Sequence, residues 1–532
     1  MKITIFNNTY FRTTLIILLF ISAGSVRLWK TFSLKTLTHD GSIALAAAAG
    51  QHNAFGFEFS SKGEILNRWT QARKWKRFLT IEHPFCFREI QSGLKNHDIH
   101  PPLYFWLLHV WMLICGTHAW TGPLLNIILA SLSAIVLFYI FRIFTKENLS
   151  ALSVSLIWFA CPPAMASSMM ARQYDLLTLL GLILIWMVIR ISDAEKTSRY
   201  YDWGLIALIS ALGLLTHFHF LLLISGCGLF VSCKIPAIGW KKALTCFGAM
   251  AIGCLLFYII YGNPGKTFAQ AKLQSQAYDS EQFSNRIEFV WHSLSFFWGS
   301  SRIAEITTKI FLSGTIALLL LHILNVFKIW TPRIIRSHYV FFPVLYFFLW
   351  TTGITVGLYL SFVSPNHAIS SRYLCLTWPF FAGLFVSIIR FLPRYSNFIA
   401  YSFGAFLIVT SAISNIDHDR VYTPDSDPIP TFKRVDAVII DMPNRGYLFP
   451  AIFQLNDDQL VYVGRQKEIL ENKEEFMQKQ HHTIAYYNMN IYGNTPQMGA
   501  QVVELLKKDY LLNLKGTVWD TGNLIFGSRA RK

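Results

Sequence analysis

The sequence predicts a polytopic, all-α membrane protein that carries a small α/β domain at its C-terminal end. Three observations support this fold class: few charged residues, a series of long apolar runs, and short basic loops between the runs. Charged residues make up 14% of the 532 residues and hydrophobic residues 53%, whereas soluble proteins contain about 25% charged residues. Much of the protein surface must therefore face hydrocarbon rather than water.

The apolar runs predict about eleven membrane-spanning helices, because a spanning helix needs about 20 apolar residues. The runs lie near residues 10–29, 121–142, 149–166, 173–191, 203–216, 217–233, 242–261, 310–329, 340–362, 373–390 and 397–414. The first run precedes Ser22-Ala-Gly-Ser25, which resembles a signal-peptide cleavage site. We interpret the run as an uncleaved anchor, because candidate catalytic residues follow it directly.

Basic loops set the predicted orientation, since cytoplasmic loops of membrane proteins are enriched in Lys and Arg. Lys2 and Arg12 place the N-terminus in the cytoplasm, which makes residues 31–100 a large external loop. Five later basic loops fall inside together if the 121–142 helix runs inward, so residues 262–308 form a second external loop and the C-terminus lies outside. This spread of the +17 net charge over short loops argues against nucleic-acid binding, which concentrates basic residues on one face.

The chain is predicted to have two domains. Residues 1–414, with both external loops, form the transmembrane domain, and residues 415–532 form a soluble extracytoplasmic domain. Within the first domain, Pro101–Cys115 is about 15 residues long and would start and end outside, so we interpret it as an interface or re-entrant helix. The strand-like and then helix-like runs of the second domain are 437–440, 460–463, 468–480 and 501–511.

Candidate site residues are polar groups at the external ends of apolar helices, where a charge near hydrocarbon is costly and indicates function by default. Asp40, in His39-Asp40-Gly41, follows the first span and leads into the small-residue helix 42–50. An aspartate fixed there suits a general base that removes a proton from a hydroxyl or amine. The alternative is a helix N-cap, and the two roles are compatible.

A second candidate stretch is Asp98-Ile-His-Pro-Pro-Leu-Tyr104. Paired prolines end one element and pre-set the first turn of the next, because the N–H they lack has no partner in a first turn. They would hold Asp98 and His100 at the membrane surface. The alternative is a proline-initiated interface helix with a capping aspartate.

Two arginines stand where helices re-enter the membrane from outside: Arg172, followed by Tyr174, and Arg372, followed by Tyr373. The guanidinium fork matches the oxygens of a phosphate, so both are candidates for phosphate binding. The alternative is ordinary interfacial anchoring by Arg and Tyr.

A predicted external hairpin carries Thr216-His-Phe-His219. A regular helix would point His217 and His219 to different faces, because they are two positions apart. Single histidines of this kind are more often satisfied core groups than ligands, so His217 is a candidate only in combination with the other motifs.

Together and in this order, the motifs resemble the GT-C superfamily of membrane glycosyltransferases, specifically glycosyltransferase family 39 and its RgtA/B/C/D-like branch. The shared features are an external aspartate after the first span, Asp-x-His-Pro-Pro-Leu-Tyr, Arg-x-Tyr at a helix start, a Thr-His stretch and a late Arg-Tyr pair. Relatives include the protein O-mannosyltransferases and the aminoarabinose transferase that modifies lipid A. The resemblance covers about residues 1–415.

The resemblance implies a sugar donor built on a polyprenyl phosphate and bound from the outer leaflet of a bacterial inner membrane. The acceptor would be an envelope lipid, glycan or protein, and the sugar would move in one inverting displacement with Asp40 as base. Asp40 matches the family's catalytic aspartate, and Arg172, Tyr174 and Arg372 match positions around the donor phosphate. The predicted catalytic residues are Asp40 and Asp98, and the predicted substrate-binding residues are His100, Tyr104, Arg172, Tyr174, His217, Arg372 and Tyr373.

The sequence departs from the family at Asp40-Gly41, where the family usually has Asp-Glu. The missing carboxylate weakens the case for a metal, so we predict no metal ligands and no defined cofactor, and leave a divalent cation open. The Asp-x-Asp pairs at 417–419 and 425–427 lie in a proline-containing linker, so we give them no metal role. The basic, aromatic stretch Arg68–Arg77 is predicted to lie on lipid headgroups.

The main alternative function is a transporter or flippase of lipid-linked or small solutes. Transporters are often built from internal repeats with a binding site near the bilayer midplane. The sequence shows no internal repeat, and its candidate residues fall at one membrane face. A structural or assembly protein is a third possibility, which would leave the pairing of Asp40 with Asp98 unexplained.

Overall fold

The structure is a computed structural model. It describes residues 9–60, 63–193, 198–265, 267, 283–299, 302–326, 341–362, 371–390, 396–413, 434–441, 444–477, 481–489, 495–518 and 522–529. The Asp-x-Asp pairs at 417–419 and 425–427 lie outside these residues.

Helices form most of the described chain. In its first half they are α1 (Thr9–Phe32), α2 (His39–Ala48), α3 (His52–Phe57), α4 (Ala72–Lys76), α5 (Phe87–His97), α6 (Leu103–Cys115), α7 (Thr121–Thr145), α8 (Asn148–Ala160), α9 (Pro162–Ser168), α10 (Tyr174–Ile191), α11 (Tyr200–Thr216), α12 (Phe220–Ile238) and α13 (Trp240–Tyr261). In its second half they are α14 (Phe283–Ser295), α15 (Arg302–Val326), α16 (Phe341–Phe362), α17 (Trp378–Ile389), α18 (Ser396–Ile413), α19 (Arg445–Gln454), α20 (Gln466–Glu471), α21 (Lys473–Met477) and α22 (Pro496–Lys507). The strands are β1 (Trp69–Gln71), β2 (Ala437–Ile440), β3 (Leu460–Val463), β4 (Thr483–Met489), β5 (Tyr510–Val518) and β6 (Gly522–Arg529).

Each of the eleven predicted spans overlaps at least one helix in the part of the chain that the structure describes. Among the described residues, five helices are long and apolar enough to cross a membrane, and a bent pair makes a sixth if it counts as one span. These helices are α1, α7, α10, α12 and α13, with α8 and α9 as the bent pair. Shorter apolar helices occupy four further predicted positions, within α11, α16, α17 and α18. The adjacent predictions 203–216 and 217–233 are indeed two helices, α11 and α12, separated at His217–His219.

The span predicted at 149–166 is a broken helix. The chain bends by 59° between α8 and α9, where Pro162 and Pro163 begin the second helix. A proline has no N–H to continue the preceding helix, but it is well suited to a first turn. The break directs the chain after α9 into the loop that carries Arg172.

Contacts between Cα atoms divide the chain into two compact units. The first consists of residues 1–33, 99–104 and 123–416, and the second of residues 34–98, 105–122 and 417–532. The first external loop therefore belongs to the same unit as the C-terminal region. This grouping differs from the predicted boundaries, which assigned residues 31–100 to the transmembrane domain.

The second unit contains a mixed six-stranded sheet in the order β1-β3-β2-β4-β6-β5. Strands β3, β2 and β4 are parallel, and the remaining neighbours are antiparallel. The strands predicted at 437–440 and 460–463 are found as β2 and β3. The helix predicted at 501–511 ends at Lys507, because the chain turns there into β5.

A strand from the first external loop completes the edge of this sheet. Trp69 of β1 lies opposite Tyr462 of β3, and its indole nitrogen donates to the carbonyl of Phe476 at 3.0 Å. Trp75 is fully buried, and Lys76 pairs with Asp457 at 2.8 Å. The sheet edge therefore holds Trp69 through backbone pairing and through its indole. That the basic residues of this stretch lie on lipid headgroups stays a prediction.

Helix α6 is 13 residues long, about 20 Å, which is shorter than the hydrocarbon thickness of about 30 Å. From Phe105 onward it belongs to the second unit. His109 accepts from the backbone N–H of Phe85 at 2.9 Å, so its other ring nitrogen is the donor to the carbonyl of Ala48 at 2.7 Å. The helix is thereby fixed to the external loop along its length.

Candidate functional site

The predicted site residues divide between the two units. Asp40 and Asp98 belong to the second unit, and the other seven belong to the first. Each group is built by its own elements.

In the first unit, the structure brings together Arg372, Tyr373 and Tyr174. Arg372 and Tyr373 lie in a short 3₁₀ turn before α17, and Tyr174 is the first residue of α10. The guanidinium carbon of Arg372 lies 5.9 Å from the ring centroid of Tyr174 and 5.4 Å from that of Tyr373. The two tyrosine rings meet edge to face at 5.8 Å. Both rings therefore lie within cation–π distance of the guanidinium, a group whose geometry matches a phosphate or carboxylate.

Histidines extend this group. The ring of His217 lies 6.1 Å from Tyr174 and 6.0 Å from His100, and 4.4 Å from His219. The expectation that His217 and His219 would face apart is wrong, because both lie in the turn between α11 and α12 rather than in a helix. Burial, and after it the nearby His100, lower the pKa of His219 to about 4. The pKa of His217 lies well below its ordinary value, first through burial and then through His219 and His100.

The loop between α9 and α10 carries Arg172, which is 6% exposed. Asn126, fully buried on α7, donates its amide to the carbonyls of both Met170 and Arg172, the latter at 3.1 Å. Met170 in turn contacts Arg372, whose Nη1 lies 3.3 Å from the sulfur. One amide therefore holds the loop on which Arg172 sits, and the same loop contacts Arg372.

A second buried residue, Arg27 on α1, fixes the broken helix. It donates to the carbonyl of Phe159 at 2.6 Å and to that of Ala164 at 3.2 Å, and it also bonds the hydroxyl of Ser168. Carbonyls at the C-terminal end of a helix lack intrahelical donors, so this cation stabilises the end of α8 and joins it to α9. Tyr104 is the remaining predicted site residue of the first unit, and its side chain is fully buried.

A cleft of about 350 Å³ opens beside this group. Its polar lining includes His219, Tyr373 and Thr355, and its apolar lining includes Leu177, Leu222 and Trp350. The indole of Trp350 is fixed by donating to the carbonyl of Leu222 at 2.9 Å. The cleft thus places polar side chains beside apolar ones, a combination that small-molecule sites use.

In the second unit, Asp40 lies in the first turn of α2 and is 9% exposed. The alternative that Asp40 is the N-cap is wrong. The cap is Thr38, whose hydroxyl accepts from the backbone N–H of Gly41 at 3.0 Å. The carboxylate is thus not needed for capping, and its Oδ1 lies 3.4 Å from Nδ1 of His39. The partial positive charge of the helix N-terminus favours the ionised carboxylate.

Asp98 ends α5 and is 9% exposed. Its backbone N–H donates to the carbonyl of Leu94 at 2.9 Å, so it closes the last turn of that helix. It does not cap α6, which begins five residues later at Leu103, after the paired prolines.

Metal ligation was left open by the sequence. Among the residues that the structure describes, no three His, Cys, Asp or Glu side chains converge as a metal site.

Sequence reasoning missed Asn126 and Arg27. Both are polar residues inside apolar runs, a pattern that indicates function or fixed structure. Neither was among the candidates, because the candidates were the polar residues at the external ends of the apolar runs. Met170 carries no sequence signal that could have identified it.

The chain was compared with known proteins. Residues 99–261 match the family profile of the dolichyl-phosphate-mannose-protein mannosyltransferases. No curated protein matches the sequence.

Solved structures extend the similarity to nearly the whole chain. ArnT from Cupriavidus metallidurans, bound to undecaprenyl phosphate, aligns with a TM-score of 0.53 at 11% identity over 96% of this chain and 97% of its own. The same protein in its apo state aligns with a TM-score of 0.44 at 10% identity over 97% and 98%. This similarity, together with the helices long enough to span a bilayer, identifies an integral membrane protein. The fold of the chain is therefore similar to that of ArnT, and residues 99–261 carry the similarity to the mannosyltransferase family.

Proposed function

We propose that the protein transfers a sugar from a polyprenyl-phosphate donor to an acceptor in the cell envelope, on the extracytoplasmic face of a bacterial inner membrane. The observation that carries the proposal is the grouping of Arg372 with Tyr174, Tyr373 and His217 in the first unit. The similar protein from Cupriavidus metallidurans holds undecaprenyl phosphate in its structure, which supports the same class of donor here.

The donor phosphate is assigned to Arg372 and Arg172. A guanidinium binds two phosphate oxygens at once, which suits a phosphodiester better than an ammonium does. The rings of Tyr174 and Tyr373 pack beside the Arg372 guanidinium at 5.9 and 5.4 Å. Because His219 has a pKa of about 4, it is neutral near pH 7 and can donate a hydrogen bond without adding charge.

The acceptor is assigned to Asp40 as the base. The acceptor's hydroxyl or amine gives its proton to the Asp40 carboxylate while its oxygen or nitrogen forms a bond to the anomeric carbon. The bond from that carbon to the phosphate oxygen breaks in the same step, and its electron pair leaves with the polyprenyl phosphate. The reaction inverts the anomeric centre. Asp98 is assigned to positioning the acceptor.

Reconstitution with a donor panel tests the function. The purified protein would be placed in liposomes with radiolabelled polyprenyl-phosphate hexoses and pentoses, and with envelope membranes from a strain lacking the protein as acceptor. We expect transfer of label to one envelope component and release of polyprenyl phosphate in equal amounts. Movement of label across the liposome membrane without bond cleavage would instead show a flippase and overturn the proposal.

The orientation is also a proposal, with the N-terminus in the cytoplasm and the C-terminal region outside. The test replaces Asn456 or Lys241, both exposed, by cysteine in a background that lacks the exposed Cys233. A membrane-impermeant maleimide should label Asn456→Cys in intact spheroplasts and Lys241→Cys only after permeabilisation. Labelling in the opposite pattern would place the proposed base on the wrong face.

A further inference from the structure

The N-terminal turn of α19, in the C-terminal region, packs against both segments that carry the proposed carboxylates. The hydroxyl of Ser42, two residues after Asp40 on α2, donates to the carbonyl of His39 at 2.7 Å and lies 3.3 Å from the backbone carbonyl of Arg445. At the other end of the same helix, the amide of Gln454 donates to the carbonyl of Lys35 at 2.8 Å. Helix α19 is thus attached to the chain before and after Asp40.

The side chain of Arg445 makes the second connection. Its Nη2 donates to the carbonyl of His97 at 3.0 Å. His97 is the last residue of α5 and directly precedes Asp98. A cation is favourable at a helix C-terminus, where the last carbonyls lack intrahelical donors. Arg445 therefore fixes the peptide that positions Asp98.

The residues after Arg445 fit the surface around Asp40. Gly446 lies against the ring of His39, and Tyr447 meets that ring edge to face at 4.7 Å. His39 in turn lies 3.4 Å from the Asp40 carboxylate. Through its neighbours, α19 therefore limits the positions open to the Asp40 side chain.

The charge of Arg445 also reaches this region. His52, 1% exposed, contacts the carbonyl of Ile43 on α2 at 3.4 Å. Its pKa falls to about 3, first through burial and then through the positive charge of Arg445, while Asp98 opposes the shift. Arg445 and Asp98 thus both influence the pKa of the buried His52 ring, in opposite directions.

We propose that Arg445 is a positioning residue for the reaction: it binds the His97 carbonyl and anchors α19 on α2, and so holds Asp98 and Asp40 in place. The C-terminal region would then be part of the catalytic apparatus rather than an appended domain. The inference rests on the proposed function, in which these carboxylates act on the acceptor.

The test compares Arg445→Gln, Arg445→Met and Arg445→Lys with Arg434→Gln, an exposed arginine of the same region. In the liposome transfer assay, we expect the Gln and Met variants to lose kcat tenfold or more, with the donor KM within twofold of the parent. Lysine keeps the positive charge and can still donate to the His97 carbonyl, so the kcat of Arg445→Lys should remain within about threefold of the parental value. Arg434→Gln should be unchanged. Thermal melting gives the folded fraction used to normalise each rate.

A purely structural role would make the loss of rate follow the loss of folded protein, with lysine no better than methionine, and this would overturn the proposal. So would a kcat above half of the parental value in either neutral variant. Asp40→Asn and Asp98→Asn separate the two proposals. If both keep full turnover, the assigned chemistry fails. If Asp40→Asn is inactive while Arg445→Gln and Arg445→Met are active, only the role of Arg445 fails.

Discussion

Gly446 leaves no room for a side chain against His39: a Cβ at position 446 would lie 2.2 Å from Nε2 of that ring. The ring has little space to move away, because Tyr447 packs on it and the Asp40 carboxylate lies 3.4 Å from its Nδ1. The closeness of α2 and α19 thus depends on a glycine.

Gly446→Ala should therefore destabilise the protein by about 1–3 kcal/mol, the usual cost of an extra methyl group in a packed site, and should lower turnover through the displaced His39. Thermal melting and the transfer assay measure the two effects. Gly204→Ala is the control, since a Cβ there meets nothing within 4 Å. In a His39→Ala background, Gly446→Ala should lower the free energy of unfolding only slightly. If the loss of stability there equals the loss in the parent, the contact with His39 is not the cause of the destabilisation.

Arg172→Lys and Arg372→Lys should each raise the donor KM by about tenfold, since lysine keeps the charge but loses the bidentate fork. For Arg372 the change also removes the packing on Tyr174 and Tyr373. The measurement is the dependence of the transfer rate on donor concentration, with exposed Arg88→Lys as control. An unchanged donor KM in both variants would show that these arginines do not bind the donor and serve only as interfacial anchors.

Asn126→Ala removes the amide that bonds the carbonyls of Met170 and Arg172. Leaving buried carbonyls without a donor costs about 1–3 kcal/mol, so the melting temperature should fall. The donor KM should rise as well, because the loop carrying Arg172 is released. Ser131→Ala on the same helix, whose hydroxyl bonds only within α7, should leave the donor KM unchanged. A normal KM in a destabilised Asn126→Ala variant would restrict Asn126 to a structural role.

His52 should make stability depend on pH. Its folded pKa of about 3 lies below the ordinary 6.5, so the unfolded chain binds a proton below pH 6.5 that the folded protein does not. Stability is therefore full above pH 6.5 and falls as the pH drops, by about 2 kcal/mol at pH 5. Thermal melting of the detergent-solubilised protein at pH 7 and pH 5 measures this loss. His52→Gln should reduce the difference, and an equal difference in the variant would assign it to other groups.

The sequence predicted those parts of the molecule that have a local pattern. Arg172, Arg372 and His217 stand out because charged or polar residues are rare beside apolar runs, and the structure brings Arg372 and His217 to the same tyrosine. The break at Pro162 was also visible in the sequence, but hydropathy alone does not register it. The N-cap at Thr38 was missed because an aspartate two residues later satisfies the same preference.

Other features have no local pattern. Trp69 pairs with a strand almost 400 residues later, and Arg445 bonds a carbonyl nearly 350 residues earlier. Neither contact changes the periodicity or composition of its own segment. The first external loop was therefore assigned to the transmembrane domain, although its contacts lie with the C-terminal region.

A comparison of turnover in the Asp40→Asn and Asp98→Asn variants decides which carboxylate is the base. Asparagine keeps the size of the side chain, and Thr38 remains the cap of α2, so the melting temperature of Asp40→Asn should change little. Its turnover should fall by about 10²–10⁴-fold, the usual contribution of a positioned base. Asp98→Asn should lower turnover less than Asp40→Asn does, and its main effect should be a higher KM for the acceptor. The product should carry the inverted anomeric configuration, which NMR of the transferred sugar reads directly. A near-parental Asp40→Asn beside an inactive Asp98→Asn would exchange the two roles, and a retained configuration would exclude the single displacement.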